Sequence, residues 1–222
     1  MDWAALSVSL RLAAFTCLLL LPVGLALGRA LARARFRGKP LCEALVALPL
    51  VLPPTVLGFY LMMSFGSEAP LGALWQRLFG SGLNFTFTGI LLASLVANLP
   101  FAVQPVQRAF EAIPPNLREA AWCSGLSAWQ TLWRIELPLV WPGLVSALAL
   151  TFAHTLGEFG VILMVGGAID GETRTLAIAI YDRVQAFDEA GAASMSAALL
   201  VVSFVTIGVV YGLAGRRRWR RG

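Results

Sequence analysis

Few residues of this chain have side chains and spacings that suit catalysis. The sequence Gly38-Lys39-Pro40 shares only a Gly-Lys pair with a nucleotide-binding loop, because it lacks the earlier glycine and the hydroxyl residue after the lysine. The chain has one histidine, His154, and three cysteines far apart in sequence, so it contains no spacing typical of a metal site. We therefore expect no catalytic site and no cofactor in this chain, and a separate protein must supply any energy that it uses.

Three polar side chains lie within or beside long apolar stretches. Asn98 is expected to hydrogen-bond a neighbouring helix, with contact to a transported ligand as the alternative. For His154 the alternatives are a functional site and an interhelical hydrogen bond. Glu158 follows Pro138 by 20 residues, which corresponds to roughly 30 Å of helix. That length predicts an outer position, where Glu158 either organises a gate or caps a helix end.

Membrane-spanning helices must position these residues. The chain of 222 residues is 58% hydrophobic and 13% charged, with a mean hydropathy of +0.76, whereas soluble domains carry about 25% charged residues. Five charge-free runs of 17 to 30 residues are each long enough to cross a bilayer. We predict an all-α membrane protein with five transmembrane helices, which excludes a soluble enzyme, a disordered chain and a disulfide scaffold. The predicted helices are residues 6–29, 43–64, 86–109, 137–160 and 192–213.

Basic residues are distributed unevenly among the connections. Thirteen follow the first, third and fifth charge-free runs, three lie in the other two connections, and Arg11 lies inside helix one. Lys and Arg are retained on the cytoplasmic side, so the N-terminus is predicted outside, the C-terminus inside, and no patch is left for nucleic acid. A cleaved signal peptide is the alternative for helix one, but Asp2 and the absence of a basic cluster argue against it. The thirteen are Arg29, Arg33, Arg35, Arg37, Lys39, Arg108, Arg118, Arg134, Arg216, Arg217, Arg218, Arg220 and Arg221.

The second predicted helix is interrupted by Pro49, Pro53 and Pro54. Each proline removes a backbone donor, which lipid tolerates only where neighbours or water satisfy the freed carbonyls. This helix is therefore predicted to face protein or a water-filled path, with a simple packing kink as the alternative. Residues 166–190 are predicted to form an outer gate, with a short helix over 175–187. The candidate pathway or gate residues are Pro53, Pro54, Thr55, Asn98, Thr151, Thr155, Gly157 and Glu158.

The cytoplasmic connection, residues 110–136, has the pattern of two short helices separated by a glycine turn. Asn116 is predicted to cap the first helix, with Glu119 at the capping-box position. Gly125 lies where a left-handed helix stop is needed. Ser127 and Gln130 then repeat the capping signal at the start of the second helix.

The second short helix is predicted to have one apolar face. Trp129, Leu132 and Trp133 follow the i, i+3, i+4 spacing that brings side chains to the same side. Two helical turns are not stable alone in water. The face must therefore be buried against the protein itself, against lipid or against a soluble partner.

This connection resembles the EAA loop of bacterial ABC importer permeases. Glu119-Ala120-Ala121, Gly125, Ile135 and Leu137-Pro138 match all seven specified positions at the required spacing. The resemblance implies that residues 110–136 form coupling helices that dock on an ATP-binding subunit. Simple capping by Glu119 and membrane anchoring by the tryptophans are the alternatives. The implied coupling residues are Glu119, Ala120, Ala121, Gly125, Trp129, Trp133, Ile135, Leu137 and Pro138.

Further stretches resemble the molybdate permease branch of the molybdate and sulfate importers. They are residues 48–54, the run Gly157-Glu158-Phe159-Gly160, and residues 171–175 and 179–181. His154 departs from the pattern, in which an arginine often precedes the Gly-Glu-Phe-Gly run. The resemblance implies a five-helix bundle of the type I importer permease class in the bacterial cytoplasmic membrane. It also implies transport of molybdate, with sulfate, thiosulfate and tungstate as alternatives.

The same resemblance implies several partners. These are a second copy of the permease, two ATP-binding subunits that hold ATP and Mg, an extracytoplasmic oxyanion-binding protein, and membrane lipid. Transport would proceed by alternating access on the two-fold axis of the permease dimer. A more distant alternative, an ATP-independent channel or secondary carrier, would need its own selectivity or ion-coupling residues at the midplane.

Overall fold

The computed structural model describes the backbone of residues 1–219 and the side chains of residues 1–212, and the regular structure in this part of the chain is helical. The basic cluster from Arg216 to Arg221, on which the predicted orientation partly rests, lies outside the described side chains. The helices are α1 (Trp3–Arg33), α2 (Lys39–Val51), α3 (Pro54–Phe65), α4 (Pro70–Phe79), α5 (Phe87–Glu111), α6 (Pro115–Cys123), α7 (Ala128–Thr131), α8 (Leu137–Gly157), α9 (Gly160–Gly166), α10 (Leu176–Gln185) and α11 (Glu189–Trp219), with a π-helical turn (Leu132–Glu136) between α7 and α8.

The second predicted helix is broken. In the described residues four helices are long and apolar enough to cross a membrane, and α2 with α3 makes a fifth candidate only as a pair bent by 107°. The prediction of one continuous helix over 43–64 is therefore wrong. A residue before proline is pushed out of the helical region, and Leu52 and Pro53 are accordingly extended, with ψ of 136° and 135°.

The fourth predicted helix has different ends from those expected. It does not begin at residue 137, because α7, the π-helical turn and α8 form one helical stretch, Ala128–Gly157. Pro138 has no N–H to donate within α8, and the preceding N–H, of Leu137, bonds to the carbonyl of Leu132 in the wider π pattern. The stretch stops at Gly157 rather than at residue 160, because Glu158 is extended (ψ 120°) before α9 starts.

Two connections between the long helices contain a short helix each. The predicted helix over 175–187 is confirmed as α10. The other, α4, lies between the second and third predicted helices, and its Trp75 and Phe79 rings stack with centroids 4.1 Å apart. Both helices lie between membrane-spanning candidates.

Close packing of α1 on α5 forms the centre of the bundle. Gly24 and Gly28 are four residues apart on α1, the small-xxx-small spacing of close helix pairs. A Cβ added to Gly24 would lie 2.5 Å from the Ala102 carbonyl oxygen, and one added to Gly28 would lie 2.9 Å from Cγ1 of Val106. The two backbones therefore touch where any larger residue would separate them.

Much of the outer surface is apolar. On α11, Leu200 and Phe204 are 68% and 75% exposed, and α1 and α3 also carry large exposed apolar side chains such as Leu18 and Tyr60. A soluble monomer rarely exposes so much apolar area. These surfaces require lipid or another protein chain as their neighbour.

Candidate functional site

The turn between α6 and α7 has the geometry that the sequence predicts. Gly125 has φ +77°, and its N–H donates to the carbonyl of Trp122 (2.9 Å) while that of Leu126 donates to the carbonyl of Ala121 (3.1 Å). This pair of bonds is a Schellman motif, in which the positive-φ residue ends the helix. The predicted helix stop at Gly125 is confirmed.

Of the two predicted N-terminal caps, the one on α6 is absent and the one on α7 is present. Asn116 does not cap α6, so that prediction is wrong: the helix begins at Pro115, and a proline in the first helical position needs no donor. The capping box of α7 is confirmed, because the Ser127 N–H donates to Oε1 of Gln130 (2.9 Å) and the Gln130 N–H donates to Oγ of Ser127 (3.3 Å).

The predicted apolar face of the second helix is divided. Trp129 and Trp133 are 67% and 56% exposed, and their rings meet edge to face with centroids 5.6 Å apart. Leu132 is instead buried beside Phe110 and Val140, because the wider π-helical turn begins at this residue. The exposed apolar face therefore consists of Trp129 and Trp133, and Leu132 belongs to the core.

An exposed patch surrounds the Gly125 turn, and we call it the α6–α7 patch. It consists of Glu119, Ala120, Trp122, Trp129 and Trp133, all exposed. Trp122 was missed by the sequence analysis, although it follows Glu119 by three residues and therefore lies on the same side of α6. The other matched residues lie deeper: Ala121 is buried, and Ile135, Leu137 and Pro138 are partly buried.

A buried carboxylate beside this patch was also missed. The side chain of Glu136 has no exposed area. Its carboxylate accepts hydrogen bonds from Nε of Arg29 (3.1 Å), from Nε of Arg118 (2.8 Å) and from Nη2 of Arg33. A sequence signal existed, since Glu136 is an acid at the start of a long apolar run and buried charges require partners. We call Glu136 and its three arginines the inner cluster.

The other end of α1 carries a cluster of opposite sign. Arg174 contacts Asp170 (2.8 Å), Asp182 (3.0 Å) and Asp2 (3.4 Å), and we call these four residues the outer cluster. The hydrogen bond to Asp170 is the main cause that raises the pKa of Arg174 above its usual value. One cluster thus has excess positive charge and the other excess negative charge, at opposite ends of one 31-residue helix.

The two helix breaks that contain candidate pathway residues lie against each other. A Cβ added to Gly160 would lie 2.8 Å from Cβ of Pro54 and 3.4 Å from the Thr55 nitrogen. The candidate residues Pro53, Pro54, Thr55 and Gly157 are exposed, whereas Glu158 is buried. Oε1 of Glu158 accepts the N–H of Val161 (3.1 Å) in the first turn of α9, so one of its oxygens stabilises that helix start.

A polar chain runs through the bundle from α1 to Glu158. The hydroxyls of Thr16 and Ser94 are 3.0 Å apart, and Nδ2 of Asn98 donates to the Ser94 carbonyl (2.9 Å). Oδ1 of Asn98 then faces Nδ1 of His154 at 3.1 Å, and Nε2 of His154 lies 3.5 Å from Oε2 of Glu158. The interhelical hydrogen bond predicted for Asn98 is thus present.

This geometry decides where the histidine carries its proton. Nδ2 of Asn98 points to an obligate acceptor, the Ser94 carbonyl, so Oδ1 is the atom that faces His154 and it requires a donor. Nδ1 of His154 therefore carries hydrogen, and Nε2 is directed at a carboxylate oxygen.

The two threonine candidates of α8 do not face an open surface of the chain. Thr151 and Thr155 are each 2% exposed. Oγ1 of Thr155 donates to the Thr151 carbonyl within the same helix (2.7 Å), and Oγ1 of Thr151 has no hydrogen-bond partner among the described residues. The structure therefore brings Asn98, His154 and Glu158 together, with both threonines in the packed interior.

Comparison with protein families gives one extended match. The model of the binding-protein-dependent transport system inner membrane component matches residues 21–219. The molybdenum transport system permease protein ModB of Azotobacter vinelandii is 46% identical over 221 residues, which cover 100% of this chain and 96% of that protein. ModB of Escherichia coli K12 is 34% identical over 222 residues, covering 100% of this chain and 97% of that protein.

Two other comparisons extend this result. The sulfate transport system permease protein CysT of Escherichia coli K12 is 34% identical over 193 residues, covering 87% of this chain and 69% of that protein. Among solved structures, a bacterial ABC transporter involved in the import of the acidic polysaccharide alginate is similar, with a TM-score of 0.78 and 18% identity. That match covers 96% of this chain and 78% of the other, so the two chains share a fold.

Proposed function

The chain belongs to the family of binding-protein-dependent transport system inner membrane components, and from this membership we propose that it is the membrane-spanning permease subunit of an ATP-driven molybdate importer. ATP hydrolysis takes place on a separate ATPase subunit, which holds the ATP and Mg. The permease contributes the transport path and the surface on which the ATPase subunit docks. It is located in the bacterial cytoplasmic membrane.

The exposed α6–α7 patch is the observation that carries this proposal. Glu119, Trp129 and Trp133 lie on the surface around a rigid Schellman turn, and they belong to the segment that matches the EAA loop. Apolar aromatic residues beside a charge, on a short helix pair, suit a protein partner, since aromatic residues are enriched at interface cores. The patch is where the ATP-binding subunit docks.

The two charge clusters support one orientation in the membrane. We propose five spans, with the bent pair α2–α3 counted as one, the N-terminus outside and the C-terminus inside. The inner cluster, with its excess of arginine, then lies on the cytoplasmic side, and the outer cluster around Arg174 lies on the opposite side. This arrangement agrees with the retention of Lys and Arg in the cytoplasm and places the α6–α7 patch where ATP is present.

The working complex contains two permease copies, two ATP-binding subunits and an extracytoplasmic oxyanion-binding protein. The exposed apolar side chains of α11 and α3 provide surface on which a second copy can pack. A single chain with four or five spans has too few helices to enclose a path. A similar bacterial alginate transporter has been crystallised in complex with a periplasmic protein bound to alginate pentasaccharide. The outer segment 166–190, with α10, is our candidate for the gate that such a protein contacts.

The path itself is proposed to pass the paired helix breaks. Pro53, Pro54, Thr55 and Gly157 are exposed in the single chain, and Asn98 and Glu158 stand behind them in the polar chain through His154. The prolines have no N–H to donate, but backbone N–H groups at the helix starts that follow these breaks can bind an oxyanion without a fixed Lys or Arg. Thr151 and Thr155, which are buried, could contribute only if the helices separate during transport.

Molybdate is favoured as cargo by the ModB relatives, which match along the whole chain at up to 46% identity. Sulfate is the second candidate, because the CysT relative at 34% identity is named a sulfate permease. Thiosulfate and tungstate remain alternatives of the same chemical class. An ATP-independent channel or carrier is a further alternative, and the transport assay below separates it from the importer.

Uptake in reconstituted vesicles tests the proposal. The chain is reconstituted with its ATPase subunit and binding protein, and labelled molybdate is supplied with or without ATP and with excess tungstate or sulfate. We expect ATP-dependent accumulation that tungstate blocks and sulfate does not. Uptake without ATP would replace the importer by a channel or carrier, and ATP-dependent uptake of sulfate alone would change the cargo.

A further inference from the structure

The α6 helix needs an attachment that its own packing does not supply. It has nine residues, and Ala121 is its one buried residue. Burying a single methyl group contributes on the order of 1 kcal/mol, and a helix of this length is not stable alone. Polar contacts must therefore hold α6 in place against the bundle.

The side chain of Arg118 provides this attachment. Its Nε donates to Oε1 of Glu136 (2.8 Å), and its Nη2 donates to the carbonyl of Phe110 (3.1 Å). Phe110 lies in the last turn of α5 and Glu136 in the π-helical turn that leads into α8. One guanidinium thus connects α6 to the ends of two long helices, and it is next to Glu119 in the sequence.

Glu136 extends the connection to α1. Arg29 and Arg33 lie one turn apart at the end of α1 and contact the two oxygens of the same carboxylate. The Glu136 side chain is completely buried, while the three arginines are 19% to 29% exposed. Removing the partners of a buried charge is costly. We therefore expect α1, α5, α6 and the start of α8 to move together where they meet at Glu136.

We propose that Glu136 and Arg118 are positioning residues that transmit movement of the docked α6 helix to α1 and α8, and so couple ATP hydrolysis to opening of the path. The proposal rests on the proposed function, because it assigns a role in the ATP-driven cycle. It concerns residues behind the docking surface: Glu136 is buried and does not touch the ATPase subunit itself. The buried carboxylate acts as the common joint of α1, α5, α6 and α8.

The role predicts uncoupling rather than loss of assembly. If the joint transmits movement, its loss should leave ATP-binding subunits docked and hydrolysing ATP while less molybdate is moved. If the cluster only stabilises the fold, transport and ATP hydrolysis should fall in the same proportion, following the amount of assembled complex. The ratio of molybdate imported to ATP hydrolysed separates these two roles.

The experiment measures this ratio in the reconstituted complex for the wild type and four variants. Arg118→Gln removes the guanidinium that joins α6 to Glu136 and leaves the contacts of Arg29 and Arg33 with Glu136. Arg118→Lys keeps the positive charge, and Glu136→Gln removes the buried negative charge. The matched control is Arg37→Gln, since Arg37 is exposed and no ion pair of it is found in the described part of the chain. We expect the ratio to fall roughly tenfold in Arg118→Gln and Glu136→Gln, to recover partly in Arg118→Lys, and to be unchanged in the control.

The outcomes distinguish this proposal from the proposed function. Absence of ATP-dependent uptake by the wild-type complex would refute the function itself. Wild-type uptake with an unchanged ratio in Arg118→Gln would overturn the joint, even if Glu136→Gln fails to insert. A reduced ratio in Arg118→Gln with normal binding of the ATPase subunit would support it.

Discussion

Oδ1 of Asn98 lies 3.1 Å from Nδ1 of His154 and joins α5 to α8 inside the bundle. The same amide is anchored through Nδ2 to the carbonyl and hydroxyl of Ser94. Asn98 has no exposed area, so these bonds have no competition from bulk water. The contact therefore fixes both the position of α8 and the orientation of the histidine ring.

Replacement of Asn98 by alanine should destabilise the bundle. The change removes the hydrogen bond to Nδ1 of His154, whose side chain is 36% exposed, and the net contribution of one such bond is about 0.5–1.5 kcal/mol. We expect the free energy of unfolding in detergent to fall by this amount, measured by denaturant titration followed by tryptophan fluorescence. The control is Asn116→Ala, since Asn116 is exposed and does not cap α6; an equal loss in both variants would contradict the role of the Asn98 contact.

The tautomer of His154 can be tested directly by nitrogen NMR, because the chain contains one histidine. We expect the Nδ1 resonance to have the chemical shift of a protonated nitrogen at every pH at which the bundle is folded, since Asn98 accepts that hydrogen. Only Nε2, which faces Glu158 across 3.5 Å, should change its protonation. The sample must lack a histidine tag.

Two variants of the polar chain serve as controls for that measurement. In Asn98→Ala the preference for hydrogen on Nδ1 should disappear. In Glu158→Gln the side-chain amide can donate to Nε2, so Nε2 should show the chemical shift of an acceptor nitrogen. A wild-type spectrum with hydrogen on Nε2 alone would disprove the deduced arrangement.

Replacement of Gly125 by alanine should weaken docking of the ATP-binding subunit. Gly125 has φ +77°, a conformation that costs a residue with a Cβ roughly 1–2 kcal/mol. The turn is already formed in the free chain, so alanine should lower the fraction of permease with the docking-competent turn, and the apparent Kd for the ATPase subunit should rise by up to about 5- to 30-fold. The measurement is titration of the ATPase subunit onto the permease in nanodiscs.

Gly208→Ala is the matched control for this prediction. Gly208 lies in α11, and a Cβ added there meets nothing within 4 Å. Alanine is favoured over glycine within a helix, so this variant should bind the ATPase subunit like the wild type. Equal affinity of the Gly125 and Gly208 variants would show that the positive φ is not needed for docking.

The local signals in the sequence predicted the α6–α7 turn well. The Schellman stop at Gly125 and the capping box at Ser127 depend on neighbouring residues, and both are present. The start of α6 was predicted two residues late: Asn116 as the cap would make Leu117 the first helical residue, whereas α6 begins at Pro115. Asparagine suits the cap position and proline the first helical position, and only the backbone decides between the two. Hydrophobic runs likewise located the long helices, although several of their ends differ.

Relationships between distant segments were not predictable in the same way. Glu136 meets Arg29 across 107 residues, and no periodicity links the two. The bend of 107° between α2 and α3 was visible only as a set of prolines, which are equally compatible with a mild kink. The contact of Pro54 with Gly160 required the fold, because two breaks in different helices become one feature only when α3 packs on α9.

Cys123 offers a direct measurement of the docked surface. It is the last residue of α6 and is exposed, whereas Cys17 is buried and Cys42 is partly buried. Thiol reaction rates depend on access, so an ATPase subunit bound to the α6–α7 patch should slow the reaction of Cys123 with a maleimide by roughly tenfold. Mass spectrometry of the labelled peptides, with and without the ATPase subunit, gives the rate for each cysteine.

Cys42 serves as the internal control, because it lies in α2, outside the patch, and its rate should stay constant when the ATPase subunit binds. The Glu119→Lys and Trp129→Ala variants should restore labelling of Cys123 at subunit concentrations that protect the wild type. Protection that persists in both variants would place the ATPase subunit elsewhere on the permease. Unchanged labelling of Cys123 in a complex that hydrolyses ATP and imports molybdate would have the same meaning, since an occupied patch leaves too little space at the end of α6 for the reagent.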